Sequence, residues 1–509
     1  MGSGIKKLAG QTVIYGLGTI VPRFINYFIT PILTYSFTPA EYGINSELFA
    51  YISFLNVIFT YGMETTFFNF NAKLENKKEV YDTALISVLS STIIFTLLLM
   101  IFSSTIAGGL ATPNANYPKQ FILWCIFIIA SDAIMVVPFA KLRSERKALK
   151  FSLLKISNVV INVCLTLFFI VVCKKAYDNN ETNFFSTLYN PEIGIGYYFL
   201  ANLIANIFTV LFLSKSILSI NLSLNVALLK EMLRYTWPLL ILGLAGMVNE
   251  TLDRIILKEF MVDKAEAQIA QGIYGACYKI AILMAIFTQA FRYAVEPFIF
   301  GKAKEKDSQK SYALIMKYYI IFCLLIFLGT MMNMDWIKYF IDESYRSGLK
   351  IVPILLLSYL FLGVVYNLGM GYKLTGQTKF GAIISIFGAI ITIVINVIFI
   401  PKFSYVACAW ATFSSYAGMM LLSYFLGKKY YPIKYNLKAV TVYSVIAIGL
   451  YFVSMTYSNL QSVSLRLVLN NLLVILFVWL VYKLEISNIK KIRANASSQN
   501  NQQGQTSAT

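Results

Sequence analysis

Ionisable side chains inside long apolar stretches are the residues of this sequence that are most able to do chemistry. The clearest group is Asn249-Glu250-Thr251-Leu252-Asp253-Arg254, inside an apolar segment from about Trp237 to Leu257. Each charge there would cost roughly 2.5–3.5 kcal/mol on membrane-insertion scales. Such residues usually face a protein interior or a water-filled cavity, so the sequence predicts a functional site here.

Two cations in other apolar segments are predicted to contact an anionic substrate. Arg23 lies near the middle of the first segment, and its guanidinium can grip a phosphate through two parallel hydrogen bonds. A structural alternative is a pair with Asp132, in the fourth segment, or with another carboxylate. Lys279, in the eighth segment, is the second predicted anion contact. Lys155 and Lys317 lie near helix ends, can snorkel to the surface and are expected to be structural.

The spacing within the Asn249–Arg254 stretch predicts local pairs. Glu250 and Arg254 are four residues apart, so they can meet on one helix face. The same spacing separates Asn249 from Asp253. These pairs would form a latch near the outer membrane surface.

The composition is that of a polytopic membrane protein. Hydrophobic residues make up 58% of the 509 residues and charged residues 13%, whereas soluble domains contain about 25% charged residues. The net charge of +19 comes largely from short loops, which indicates membrane topology and not a nucleic-acid surface. There is no His, and the six Cys show no metal-ligand spacing. We therefore expect no metal, cofactor or disulfide framework.

Apolar segments long enough to cross a bilayer occur about fourteen times, which predicts an all-α membrane fold. Basic residues concentrate in alternate loops, which places both termini in the cytoplasm and supports an even number of spans. The spans are predicted near 10–33, 44–68, 81–107, 120–141, 149–173, 191–213, 235–258, 271–297, 311–333, 350–370, 379–400, 404–427, 438–457 and 463–482.

The chain also repeats itself. Units of six helices put both copies in the membrane in the same orientation, as in a parallel repeat. We therefore predict an N-lobe at 1–229, a C-lobe at 230–430, two extra helices at 431–484 and a disordered cytoplasmic tail at 485–509. The matches at one shared offset are Tyr42-Gly43 with Tyr274-Gly275, Phe59-x-Tyr61 with Phe291-x-Tyr293, and Glu64 with Glu296.

The repeat relates several intramembrane charges to one another. Glu47 and Lys279 occupy equivalent positions with opposite charge, so we expect a salt bridge between the lobes or two walls of one cavity. Arg292 and Glu296 are four residues apart and should form a local ion pair. The predicted coupling and gating residues are Glu47, Glu64, Asp132, Glu250, Asp253, Arg292 and Glu296.

Four short stretches together form a recognisable pattern. They are Pro39-Ala40-Glu41-Tyr42-Gly43 with the preceding Pro31, Arg143-Ser144-Glu145-Arg146, Leu252-Asp253-Arg254-Ile255-Ile256-Leu257, and Gly272-Ile273-Tyr274-Gly275-Ala276-Cys277-Tyr278-Lys279. In their order and spacing they resemble the polysaccharide-export branch of the multidrug/oligosaccharidyl-lipid/polysaccharide (MOP) superfamily. The resemblance covers about the first 430 residues.

The resemblance implies a Wzx-like flippase with a MATE/MurJ-like fold in the bacterial inner membrane. Such proteins move undecaprenyl-pyrophosphate-linked sugar units to the outer leaflet for O-antigen and lipopolysaccharide, capsule or exopolysaccharide. The implied mechanism is alternating access around a cationic cavity, with coupling to a proton or sodium gradient. By position, Arg23, Arg254 and Lys279 would be cavity cations. The implied partners are the lipid-linked oligosaccharide, membrane lipid, and neighbouring glycosyltransferases and a polysaccharide polymerase.

Three other functions stay open. A MATE-type drug exporter has the same two-lobe plan, but it would favour acidic cavity residues and twelve helices. A lipid II flippase of the MurJ type is closer in plan. A membrane polymerase or ligase would need a large outer loop, whereas the longest here, at about 174–190, is short and has no His. Walker motifs and nucleophile elbows are also absent, so we expect a transporter and not an enzyme.

Overall fold

The computed structural model describes residues 2–112, 117–221, 224–302, 308–374, 377 and 379–506. Every secondary-structure element in these residues is a helix, as the composition predicts. The α-helices are α1 (Gly2–Tyr27), α2 (Ile29–Ser36), α3 (Pro39–Thr60), α4 (Met63–Lys73), α5 (Lys77–Ile101), α6 (Ser103–Leu110), α7 (Lys119–Ser144), α8 (Ala148–Thr166), α9 (Lys174–Asp178), α10 (Phe184–Leu188), α11 (Gly196–Leu218), α12 (Val226–Phe260), α13 (Lys264–Lys302), α14 (Ser308–Met332), α15 (Met334–Ile337), α16 (Val352–Leu374), α17 (Lys379–Phe403), α18 (Tyr405–Tyr430), α19 (Leu437–Thr456) and α20 (Val463–Thr506).

Three further segments of the described chain are helical but not α-helical: one is a π-helix and two are 3₁₀ helices. A π-helical segment, Leu167–Cys173, joins α8 to α9 without a break, so that one helical stretch extends from Ala148 to Asp178. The 3₁₀ segments Lys338–Phe340 and Glu343–Ile351 precede α16.

Eleven helical stretches in the described part of the chain are long and apolar enough to cross a membrane. All fourteen predicted positions are helical, but the first, second and seventh are outside that set of eleven. Those three positions correspond to α1–α2, α3–α4 and α12, which carry Arg23, Glu47 and Asp253 among their apolar residues. The total of fourteen spans therefore stays a prediction.

Local sequence explains where α3 begins and ends. Thr38 and Glu41 form a capping box, in which the Thr38 backbone N–H donates to Glu41 Oε2 at 2.8 Å, and Pro39 occupies the first turn. The helix ends where Tyr61 and Gly62 both have positive φ, at 35° and 77°. This break redirects the chain into α4 and towards the site described below.

The chain divides into two compact units. The first comprises Met1–Lys304 and Phe340–Pro432, and the second Glu305–Tyr339 and Ile433–Thr509. The lobe boundaries predicted from the repeat stay predictions. In the second unit, α20 continues to Thr506 through the stretch for which the sequence predicted disorder, and the end of that tail, 507–509, lies outside the described residues.

Ion pairs join α20 to α14 and to α15 within the second unit. Near one end of α14, Lys317 Nζ lies 2.5 Å from Glu485 Oε2. Just after the C-terminal end of α14, Arg466 of α20 donates two hydrogen bonds to Asp335 of α15. Nη2 lies 2.8 Å from Oδ1 and Nε lies 3.0 Å from Oδ2. Bidentate pairs of this kind fix geometry as well as add energy.

In the first unit, α3 and α13 cross at glycines. A Cβ atom on Gly272 would lie 1.8 Å from the carbonyl oxygen of Pro39, and one on Gly43 would lie 2.4 Å from that of Gln268. The backbones can approach so closely only because these residues lack side chains. Gly275, the repeat partner of Gly43, lies at the same crossing against Ser46.

Candidate functional site

A cavity of about 840 Å³ lies among α1, α3, α4, α7, α8 and α13. Sites for drug-sized ligands have volumes of about 300–1,000 Å³, so the cavity can hold a substantial ligand group. Its charged lining residues are Arg23, Glu64, Asp132, Arg143, Lys155 and Glu296.

Arg23, the first of the predicted anion contacts, lies on the wall of this cavity and is exposed. Its Nη1 donates a hydrogen bond to Gln289 Oε1 on α13. It forms no ion pair with any described carboxylate, so the alternative pair with Asp132 is not present. Because the Gln289 amide is neutral, the guanidinium charge of Arg23 is not balanced by its partner.

Arg143 and Glu64 form an ion pair inside the cavity. The Arg143 guanidinium also lies 5.0 Å from the centroid of the Phe68 ring. The predicted local pair is present as well, with Arg292 Nε 3.8 Å from Glu296 Oε2. Two of the cavity acids are therefore engaged by arginines in this conformation.

Asp132 is held in the cavity wall by amide side chains. Asn206 Nδ2 donates to Asp132 Oδ1 at 3.0 Å and lies 3.1 Å from Ser131 Oγ. Asn158 Nδ2 in turn donates to Asn206 Oδ1 at 3.0 Å. This network across α7, α8 and α11 fixes the carboxylate in one position.

Lys155 also lies on the cavity wall, although its position near a helix end predicted a structural role. Its Nζ is 4.3 Å from the centroid of the Phe139 ring. It interacts electrostatically with Asp132, but neither an ion pair nor a hydrogen bond joins it to a described residue. Its ammonium group is therefore available to a ligand in the cavity.

On the side of the helices away from the cavity, a buried ion pair joins α3 to α12. Lys258 Nζ lies 2.7 Å from Glu47 Oε1, and these side chains are 3% and 0% exposed. Lys258 also donates to the Leu110 carbonyl at 2.8 Å, and Tyr117 donates to Glu47 Oε2. We call Glu47, Lys258 and Tyr117 the latch.

The latch corrects the predicted pair of Glu47 with Lys279. Equivalent positions in a repeat do not have to be in contact, and α3 meets α13 at Gly43 and Gly272, one turn before Glu47. The Glu47 carboxylate instead faces Lys258 near the end of α12.

A tyrosine from the 3₁₀ segment Glu343–Ile351 adds to this closure. The Tyr345 hydroxyl donates to the Phe37 carbonyl at 2.7 Å, and its side chain is fully buried. Its ring meets that of Tyr42 edge-on, with centroids 5.7 Å apart. Near the latch, the helices are therefore held together by the packing of Tyr345 as well as by the Glu47–Lys258 ion pair.

Arg254 and Lys279, the other predicted cavity cations, do not belong to the described lining of the cavity. Arg254 lies over the Tyr278 ring, 3.9 Å from its centroid, and its buried Nε and Nη2 atoms have no hydrogen-bond partner. Lys279 is a close electrostatic neighbour of Arg254. Two cations thus lie together without a described carboxylate bonded to either side chain.

The local pairs predicted within Asn249–Arg254 are wrong. Glu250 is exposed and forms no ion pair with Arg254, whose guanidinium is instead stacked on an aromatic ring. The Asp253 carboxylate accepts hydrogen bonds from the Tyr274 hydroxyl and the Arg254 backbone N–H. Asn249 is turned away from it towards α17 and α18, where its Oδ1 accepts from Thr392 and Ser415 at 3.2 and 3.1 Å.

Sequence reasoning did not single out Lys155, Arg143, Lys258 and Tyr117 as site residues. Lys155 carried a usable signal, because it is a charge within a predicted span. Lys258 lies one turn beyond Arg254, at the end of a predicted span, where a charge is expected and gives no signal. Tyr117 gave no signal, since nothing in its local sequence distinguishes it from other aromatic residues.

The site has the chemistry of ligand binding. Cations and amides face a shared cavity, and no cluster of three or more His, Cys, Asp or Glu is arranged to hold a metal where the structure is described. The six cysteines are free thiols, so they form no disulfide framework.

Comparison with known proteins gives a family and a fold. The profile of the family described as "Polysaccharide biosynthesis protein" matches residues 8–301, more than half of the chain. No curated protein sequence matches this chain.

Three similar solved structures are membrane transporters. Lipid II flippase MurJ in an inward closed conformation has a TM-score of 0.71 at 14% identity, over 93% of this chain and 100% of that chain. A multidrug resistance MATE family transporter of the MOP superfamily has, in its inward-facing form, a TM-score of 0.61 at 13% identity, over 82% and 98% of the two chains. An outward-facing form has a TM-score of 0.57 at 14% identity, over 83% and 95%. The predicted MATE/MurJ-like fold is therefore confirmed.

Proposed function

This chain belongs to the polysaccharide biosynthesis protein family, and we propose that it is a flippase for lipid-linked oligosaccharides. Its substrate is a saccharide on undecaprenyl pyrophosphate, which it moves from the inner to the outer leaflet of the bacterial inner membrane. The product feeds surface polysaccharide synthesis, such as that of O-antigen, capsule or exopolysaccharide. Glycosyltransferases would supply the substrate and a polysaccharide polymerase would consume the product.

The observation that carries this proposal is Arg23 in the cavity wall, where its described hydrogen-bond partner is a neutral amide. A pyrophosphate diester carries two negative charges, which must cross about 30 Å of hydrocarbon. An arginine in a polar cavity replaces part of the lost hydration through charge-assisted hydrogen bonds. The lipid tail can stay in the bilayer while the head group is inside the protein.

The position of the closed end supports alternating access. The glycine crossing joins α3 and α13 near their first residues, and the latch joins α3 to α12 on the same side. The cavity lies between later residues, such as Glu64 on α4 and Glu296 on α13. With both termini in the cytoplasm, as the loop charges predict, the cavity is on the cytoplasmic side. We propose that this is the loading conformation.

Residues beyond the cavity have proposed roles in the opposite conformation. Arg254 and Lys279 carry unbalanced charge near the closed end, so opening there would offer them to the departing pyrophosphate. Glu47, Asp132, Glu250 and Asp253 are the proposed gating groups and carriers of a coupled proton or sodium ion. Glu64 with Arg143 and Arg292 with Glu296 would rearrange between the two conformations.

The cavity also bears on the alternative functions. A drug-cation exporter needs acids that are free to bind a cation, but Glu64 and Glu296 are engaged by arginines, and Asp132 by an amide. A lipid II flippase would carry the same pyrophosphate, so the cations suit it equally. We place that function second, because the matching family is described by polysaccharide biosynthesis.

The test is Arg23→Ala in a strain whose own copy of the gene is deleted. We expect loss of the surface polysaccharide while the protein still accumulates in the membrane. Lys150→Ala is the matched control, because Lys150 is an exposed cation on α8 outside the cavity. Wild-type polysaccharide levels in the Arg23→Ala strain would contradict the proposal.

A further inference from the structure

We infer that Lys155 and Arg23 together form the anion subsite of the cavity, and that Asp132 is the counter-ion that the bound pyrophosphate replaces at Lys155. This inference rests on the proposed function and deepens it, since it assigns each phosphate a cation. Sequence position alone had indicated a structural lysine.

The packing of α1 against α8 places Arg23 and Lys155 at similar depths along the helix axes. Tyr15 meets Phe151 with ring centroids 5.5 Å apart, and a Cβ atom on Gly18 would lie 2.2 Å from Ser152 Oγ. Residue numbers increase together along this contact, so the two helices are parallel.

Helical rise then gives the relative depth of the two side chains. Arg23 follows Gly18 by five residues, or about 7.5 Å, and Lys155 follows Ser152 by three, or about 4.5 Å, at 1.5 Å per residue. The backbones of the two cations therefore differ by about 3 Å in depth along one cavity wall, or by about 6 Å when counted from the Tyr15–Phe151 contact. Two linked phosphate groups can span such an offset.

Charge balance separates these two cations from the third one in the cavity. Arg143 is neutralised by Glu64 in a direct ion pair. Arg23 has a neutral amide as its bonded partner, and Lys155 faces the Phe139 ring without a described ion pair. A ligand anion thus gains most from contacting Arg23 and Lys155, because no existing salt bridge has to be broken.

Asp132 partly balances the charge of Lys155 without forming a direct ion pair with it. It shares the cavity with Lys155 and is its principal electrostatic partner, but the Asn206 amide holds its carboxylate in place. A carboxylate fixed in the wall cannot follow the flexible lysine into a close pair. Because Lys155 and Asp132 are not joined by a direct ion pair, a phosphate oxygen can take the place of Asp132 as the nearest anion of Lys155.

The test compares two soluble ligands on the purified full chain in detergent. Farnesyl pyrophosphate and farnesyl monophosphate have the same tail and differ by one phosphate, and calorimetry gives Kd for each. The variants are Lys155→Gln, Lys155→Arg, Arg23→Gln and Asp132→Asn. Lys150→Gln, on the exposed face of the same helix, is the control.

We expect Lys155→Gln to weaken pyrophosphate binding about tenfold or more, as for the loss of one charged hydrogen bond, and to leave monophosphate binding within about twofold. Lys155→Arg should restore the preference for pyrophosphate. Asp132→Asn should tighten pyrophosphate binding several-fold, since a competing carboxylate is removed.

The possible failures are distinguishable. If the wild-type protein binds neither ligand, both the proposed function and this inference are contradicted. If Arg23→Gln abolishes binding but Lys155→Gln changes nothing, the flippase proposal stands and the role of Lys155 is rejected. If Lys155→Gln weakens both ligands equally and Lys155→Arg does not rescue, Lys155 is a structural residue. Weaker binding in Asp132→Asn would reject the counter-ion role.

Discussion

At the scale of single residues, the role of a charged side chain depends on whether it is paired with an opposite charge. Its presence in the sequence is less informative. Arg23, Arg143 and Lys155 all line one cavity, but among the described residues only Arg143 is paired with a carboxylate there. At the closed end, Glu47 and Lys258 satisfy each other in a site without solvent. For the same residue types we therefore propose binding in one place and closure in the other.

The latch leads to the first residue-scale prediction. Glu47→Gln leaves Lys258 buried without a counter-charge, which typically costs about 3–5 kcal/mol. Only the conformation with a closed latch bears this cost, so the equilibrium should shift towards the opposite conformation by about a hundredfold or more. The readout is reaction of Thr19→Cys, in the cavity wall, with a membrane-impermeant thiol reagent added from the periplasmic side.

The control for this experiment is Glu259→Gln, next to Lys258 in the chain. Glu259 is exposed and lies 3.8 Å from the exposed Lys264, a type of pair that contributes little. We expect it to leave labelling unchanged. Equal labelling in Glu47→Gln and Glu259→Gln would contradict the gating role of the latch.

The sequence was enough to single out residues whose charge lies within an apolar, membrane-spanning segment. Arg23 was identified in this way, because a charge in an apolar helix needs a reason to be there. The partner of Glu47 was not, since a repeat relates positions and says nothing about which way a side chain turns. Arg254 and Glu250 had the correct spacing for a pair, but the Tyr278 ring occupies the guanidinium face.

At the scale of elements, the α3/α13 crossing positions both ends of the site. Gly43, Gly272 and Gly275 let the helices touch near the latch, while the cavity separates their later residues. The Tyr-Gly repeat in the sequence includes Gly43 and Gly275, but it predicted two lobes and not this crossing. Its close approach could be read only from the structure, because neither copy of the motif is adjacent to the other in the chain.

The crossing yields an element-scale prediction. Gly272→Ala puts a Cβ atom 1.8 Å from the Pro39 carbonyl oxygen, and a backbone atom cannot yield as a flexible side chain does. Overpacking of this kind typically costs about 1–3 kcal/mol, and the backbone obstruction places this substitution at the upper end. We expect a lower thermal unfolding midpoint for the purified protein in detergent.

The matched substitution is Gly246→Ala on α12, where no atom other than the helix's own backbone lies within 4 Å of the added methyl group. Because alanine is the better helix former by about 1 kcal/mol, its unfolding midpoint should be unchanged or higher. If Gly272→Ala is as stable as Gly246→Ala, the close crossing is not present in the folded protein.

At the scale of the whole molecule, composition and the apolar segments predicted the all-helical membrane fold correctly. The division of the chain was harder to foresee, since α20 is joined to α14 by Lys317–Glu485 and to α15 by Arg466–Asp335. Those pairs join residues more than a hundred positions apart. Repeat analysis assigns α14 by sequence order and has no access to such contacts.

Topology can be tested on the whole molecule by cysteine labelling in intact cells. Glu75→Cys lies between α4 and α5 in a predicted inner loop, and Thr182→Cys lies between α9 and α10 in a predicted outer loop, and both positions are exposed. We expect an impermeant reagent to label Thr182→Cys at once and Glu75→Cys only after the membrane is opened. The unmodified protein gives the background of the native cysteines, and the reverse pattern would overturn the orientation.

The most direct test of the central claim is transport by the purified protein in liposomes. Undecaprenyl-pyrophosphate-linked oligosaccharide is placed in both leaflets, and a membrane-impermeant glycosidase outside reports how much sugar reaches the outer leaflet. We predict that wild-type protein exposes the sugar of the inner leaflet as well, whereas Arg23→Ala leaves it protected. Protection in wild-type liposomes equal to that in protein-free liposomes would contradict the claim that this chain is a flippase.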